Sequence, residues 1–112
     1  MSLTFYGLKS CDSCRAALKA LQAADIVVEI RDVREDGVPT DILVAALAAH
    51  GADKLVNKRS TTWRGLDETA RQLDPATLIE ANPSLMKRPL IVAADGSSSI
   101  GWDAAARAIH GV

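Results

Sequence analysis

The chain carries two cysteines, Cys11 and Cys14, in the stretch "YGLKSCDSCRAALKAL". A thiol pair at CxxC spacing supports redox chemistry if one sulfur ionises, half of a metal site if further ligands converge, or neither if both are small core residues. The residues around the pair point to the first. A helix opening near Asp12 leaves Cys11 at its N-terminus, where backbone N–H groups lack intrahelical partners and the helix dipole favours negative charge. A thiolate gains from that field and a thiol does not. Cys14 lies one turn on, within reach of a disulfide. Lys9 and Arg15 add positive charge nearby, and Asp12 opposes them. Zinc needs two more ligands, and the only histidines are His50 and His110, in separate segments, so no metal site is expected. The third reading applies chiefly to Cys14, whose helical phase matches Ala17, Leu18 and Leu21.

The elements that must position these thiols read as follows. "LTFY" (3–6) is β-prone and Gly7 ends it. A helix follows from about Asp12. "IVVEI" (26–30) is a second strand, and "DVREDGVP" (32–39) a turn-rich loop. A helix from Thr40 or Asp41 stops at Gly51. Residues 54–65 are polar and irregular. Asp67 caps a short helix to about Leu73, and Asp74 with Pro75 opens another to about Asn82. "LIVAA" (90–94) is an apolar run suited to a strand buried on both faces, "DG" (95–96) is a hairpin signal, and a short strand near 99–101 precedes a helix opened by Trp102 or Asp103. A βαβ unit and a ββα unit make a four-stranded mixed sheet. That is an α/β, thioredoxin-like plan with a helical insertion at about 40–82, expected to form a single domain over 1–112.

Composition narrows the class. The 112 residues are 48% hydrophobic and 24% charged with a formal net charge of -1. There is no basic block to bind nucleic acid or an anionic membrane, and no apolar run long enough to span one. The N-terminus lacks the pattern of a secretion signal, so a cytoplasmic location is the expectation. There, a close cysteine pair reads as redox or metal chemistry rather than a structural disulfide.

Three stretches together, "YGLKSCDSCRAALKAL", "LVNKRSTTWRGLDE" and "NPSLMKRPLIV", resemble the ArsC/Spx family of thioredoxin-fold proteins. The nearest likeness is to its small bacterial subgroup of arsenate-reductase-related, glutathione-dependent thiol reductases. The resemblance implies Cys11 as nucleophile and Arg88 before a cis Pro89 as the residue that stabilises the thiolate or binds an oxyanion. Cys11 would form a mixed disulfide, which either Cys14 or a second glutathione resolves. It implies no bound cofactor, glutathione as co-substrate, and glutathione or a protein or small-molecule disulfide as partner. The family's arsenate reductases carry an arginine where Asn57 stands here, beside Lys58 and Arg59, and another where "DGSSSIG" has serines and Gly101. The cradle for arsenate is thus incomplete, which argues against arsenate reduction. The Spx branch shares the CxxC and "RP" elements and implies the alternative, a redox-sensing regulator that binds RNA polymerase through its α-subunit.

Other cations are weaker candidates for substrate binding. Arg15 lies four residues beyond Cys11 on the same helical face. Arg59 and Arg64 flank Thr61, Thr62 and Trp63, which suit a groove for a peptide-like thiol or simple packing against the domain. His50 and His110 read as helix C-terminal residues, where positive charge is favourable.

Overall fold

The computed structural model describes residues 3–112, and these gather into two compact units. One contains the chain up to Asp36 together with Arg88–Val112, and the other is Gly37–Lys87.

The first unit holds a four-stranded sheet. Its elements are β1 (Leu3–Gly7), α1 (Asp12–Ala23), β2 (Val28–Asp32), β3 (Leu90–Val92), β4 (Ser98–Ile100) and α7 (Ala104–His110), with α2–α6 in the other unit. The strand order is β2-β1-β3-β4. β1 pairs in parallel with β2, Leu3 opposite Val28 and Gly7 opposite Asp32, and antiparallel with β3, Phe5 opposite Ile91. The mixed sheet and flanking helices are those expected of a thioredoxin-like α/β fold. The central strands carry the core: every residue of β3 is buried, and Phe5, Cys14, Ala17, Leu21 and Ile91 form one cluster between sheet and helix. α1 joins that cluster because Cys14, Ala17 and Leu21 recur at three and four residues on one face. The β3–β4 hairpin turns at Asp95–Gly96, where Gly96 takes φ 88° and Asp95 Oδ1 accepts from the Ser97 N–H at 2.9 Å. α7 is capped by Asp103, whose carboxylate accepts from the Ala106 N–H at 2.9 Å.

β2 begins two residues later than the apolar run "IVV" suggests. Parallel pairing with Leu3–Gly7 selects Val28–Asp32, and Val27 is left 67% exposed. β3 is shorter than "LIVAA", because Ala93 already exchanges hydrogen bonds with the hairpin turn.

The second unit is helical: α2 (Thr40–His50), α3 (Ala52–Leu55), α4 (Thr61–Arg64), α5 (Glu68–Arg71), α6 (Pro75–Ala81) and a 3-10 turn over Pro83–Leu85. α2 packs on α6 and buries Leu43 and Ala46, while α6 buries Ala76, Leu78 and Ile79. The segment 54–65, read as irregular, contains helical turns. Ser60 caps α4 by accepting from the Trp63 N–H at 3.1 Å, and Lys58 and Arg71 approach the Trp63 ring at 5.6 and 5.4 Å. Asp67 and Asp74 cap α5 and α6 as their positions predict. Among the described residues no helix is long and apolar enough to cross a membrane.

Candidate functional site

Cys11 is the N-cap residue of α1. Its backbone is extended (φ -84°, ψ 122°), its N–H donates to the Leu8 carbonyl at 3.1 Å and its carbonyl accepts from the Arg15 N–H at 3.0 Å. Its sulfur lies at the helix terminus, half-buried. Burial opposes ionisation there. The Cys14 backbone N–H, the Cys14 thiol and the Arg88 guanidinium all act at the sulfur in the opposite sense and win, so the Cys11 pKa lies below the usual cysteine range.

Cys14 is three residues on and meets the opposite fate. It is 1% exposed, within the core cluster. Burial first, then the hydrogen bond to Cys11 and the charge of its sulfur, push the Cys14 thiol up to about 12, against the Leu8 backbone N–H and the Arg88 charge. The pair is therefore asymmetric, with one sulfur that ionises and one that holds its proton and donates it. Both thiols are free. Among the described residues no group of three or more His, Cys, Asp or Glu side chains is placed to hold a metal ion.

Arg88 reaches Cys11 from the chain just before β3. The Arg88–Pro89 peptide bond is cis, as the resemblance implies, and Pro89 is fully buried. The Gly101 N–H donates to the Pro89 carbonyl at 2.9 Å, which ties this corner to the end of β4. Cys11, Cys14, Arg88 and Pro89 thus come together in the first unit.

The other expected cations sit differently. Arg15 is exposed and its guanidinium is 2.6 Å from Asp12 Oδ1, an i, i+3 pair. Arg59 and Arg64 belong to the second unit. Arg59 lines a cleft of about 520 Å³ with Asp53, Val56, Asn57, Lys58 and Lys87, and its backbone N–H donates to Asn57 Oδ1 at 3.1 Å. Arg64 is exposed and its carbonyl accepts from Arg71 at 3.3 Å. His50 ends α2 and His110 ends α7; His110 Nε2 lies 2.8 Å from Ser99 Oγ, its ring stacks on Trp102, and burial lowers its pKa.

Sequence reasoning missed Gly7 as part of the site. A Cβ on Gly7 would lie 2.7 Å from Cys14 Sγ and 2.7 Å from Phe5 Cε1. A glycine is required because β1 passes directly under the sulfur of α1. In the sequence it reads only as a strand terminator.

The comparisons with known proteins bear on the family and the fold. The ArsC family profile matches residues 6–108. An uncharacterised protein of Haemophilus influenzae is 44% identical over 105 residues, covering 90% of this chain and 91% of that one. The global transcriptional regulator Spx of Staphylococcus aureus is 30% identical over 95 residues, covering 80% and 72%. The solution structure of an arsenate reductase (ArsC) related protein from Brucella melitensis superposes with a TM-score of 0.70 at 32% identity, covering 94% and 90%.

Proposed function

The chain belongs to the ArsC family, and from that premise we propose that it is a thiol–disulfide oxidoreductase that uses glutathione as reductant. The observation that carries this reading is the asymmetry of the pair: Cys11 lowered beside Arg88 and the helix terminus, Cys14 raised to about 12 in the core.

The first step is attack of the Cys11 thiolate on one sulfur of a disulfide. A Cys11–substrate mixed disulfide forms, and the other sulfur leaves as a thiolate. Arg88 favours the thiolate before attack, and the Cys14 N–H, fixed in the first turn of α1, stabilises charge on the same atom. The second step is resolution. Once Cys11 is bonded, its charge no longer raises Cys14, but burial, the largest cause, remains. Cys14 therefore stays a poor thiolate near neutral pH. A glutathione thiolate arriving from solvent is the better attacker; it takes the substrate sulfur and returns Cys11 as a thiolate. Multiple turnover with reduced glutathione and a model disulfide, followed through NADPH and glutathione reductase, tests this. Steady turnover that depends on Cys11 supports it; a single stoichiometric exchange sinks it.

A second reading rests on the 30% identity to Spx across most of the chain: a redox-sensing regulator that binds RNA polymerase and does not turn over. Retention of the protein on the isolated C-terminal domain of the polymerase α-subunit, with no turnover, selects it.

A further inference from the structure

Gly7 ends β1 against the thiol pair, and the exchange steps above give it no task. Its φ is not positive, so the backbone there admits any residue and the constraint is one of space. The sheet holds it in place: it stands opposite Asp32 in the register with β2, and its carbonyl accepts from the Val33 N–H at 3.1 Å. The Cβ it lacks would fall 2.7 Å from Cys14 Sγ and 2.7 Å from Phe5 Cε1, where ordinary contact begins near 3.4 Å. Neither neighbour has room to retreat. Phe5 and Cys14 belong to one buried cluster with Ala17, Leu21 and Ile91, and interiors of this kind are close-packed. The next residue, Leu8, directs its N–H at the Cys14 sulfur, and its carbonyl accepts from the Cys11 N–H at 3.1 Å. The end of β1 therefore sets the place of both cysteines.

We propose, resting on the thiol-exchange reading above, that Gly7 is a positioning residue for the nucleophile: by carrying no Cβ it lets the Cys14 sulfur seat against β1, from where the Cys14 S–H donates to the Cys11 sulfur. Gly7 acts through Cys14 and takes no part in the exchange itself. The hydrogen bond it serves is one of the contacts that favour the Cys11 thiolate. Such a bond weakens steeply with misalignment, so a sulfur pushed off its seat stops donating while it is still buried. In Gly7→Ala the sulfur can make room in two ways, by turning into another χ1 well or by lifting α1 off β1. Both carry the S–H away from Cys11.

The test reads the pH midpoint of Cys11 alkylation by iodoacetamide, followed by peptide mapping on the reduced protein. Gly7→Ala should raise that midpoint by about half to one pH unit, roughly three- to tenfold in thiolate population below both midpoints. Cys14→Ala removes the donor and should raise it likewise, and Gly7→Ala added to Cys14→Ala should raise it no further. Where Gly7→Ala alone does not fold, it is made together with Phe5→Leu, which relieves the contact with the ring and keeps the contact with the sulfur; the same rise is expected relative to Phe5→Leu. An unchanged midpoint in the folded variant, or a further rise in the Cys14→Ala background, overturns the positioning role. Failure of Gly7→Ala to fold in both backgrounds also overturns it, since Gly7 then serves packing alone. Glutathione-dependent turnover of the parent, measured alongside, separates the two readings. A parent that turns over while the midpoint stays fixed leaves thiol exchange intact and removes only the role of Gly7. A parent with no turnover overturns the exchange reading and the role of Gly7 in it.

Discussion

Replacing Arg88 by methionine removes a charge and a hydrogen-bond donor from the Cys11 sulfur while keeping an unbranched side chain of similar reach. A charge-assisted hydrogen bond contributes about 1.5–3 kcal/mol. Cys11 is only half-buried, so solvent screens the pair and the lower end applies, about tenfold in the thiolate population. The sign follows from the causes: Arg88 lowers the Cys11 pKa, so its loss raises the midpoint. A more basic thiolate is also a better nucleophile, and a Brønsted coefficient of about 0.4–0.5 returns roughly threefold per thiolate. The variant should therefore react about threefold more slowly than the parent below both midpoints and about threefold faster above both. Iodoacetamide is neutral, so its approach does not depend on the arginine. Its alkylation rate at Cys11, followed by peptide mapping from acid to alkaline pH, gives both profiles. A crossing of the two curves is the predicted signature. Curves that keep a constant ratio at every pH, with one shared midpoint, would show that Arg88 supports the fold or the approach of the reagent and not the charge on sulfur.

Cys11→Ser should abolish glutathione-dependent turnover, whereas Cys14→Ser should keep a substantial part of it, because an external thiol resolves the mixed disulfide; equal and complete loss in both would show an obligatory internal disulfide. Gly7→Ala should destabilise the fold by about 1–3 kcal/mol through overpacking against Cys14 and Phe5, read as a lower denaturant midpoint; an unchanged midpoint would mean that β1 and α1 separate freely. Asp103→Ala should cost about 1 kcal/mol through loss of the α7 cap, by the same measurement. Arsenate turnover should be weak, since each missing charge-assisted contact costs about 1.5–3 kcal/mol, or roughly ten- to a hundredfold in binding; efficient turnover at low arsenate would show that other residues complete the cradle.

The parts of the fold that depend on local signals were legible in the residues themselves. Cys11 and Cys14 fall where a β-prone run meets helical spacing, and α1 begins there. Asp67, Asp74 and Asp103 mark their helices because a carboxylate that caps a helix needs only its own next turn. "DG" marks the hairpin for the same reason. What depended on distant partners was not legible. The register of β2 is settled by pairing with β1 and not by the apolarity of Ile26 and Val27. The helical turns of 54–65 are held by contacts such as the Asn57 N–H to the Leu85 carbonyl, 2.7 Å, across 28 residues of sequence. At the site, the thiol pair and Arg88 were legible through their likeness to a family. Arg15 lies four residues beyond Cys11 along α1, and its guanidinium is taken up by the ion pair with Asp12, which spacing along the chain alone does not reveal. Gly7 escaped because its constraint comes from the sulfur packed over it, which no spacing along the chain records.

The proposed chemistry requires that the Cys11 sulfur react and that Cys14 stay a thiol. Brief treatment of the reduced protein with oxidised glutathione, followed by intact-mass and peptide mass spectrometry, tests it directly. The expected result is a single glutathione adduct on Cys11, removed again by reduced glutathione, with Cys14 still a free thiol. An adduct on Cys14, or no adduct on either cysteine, would contradict it.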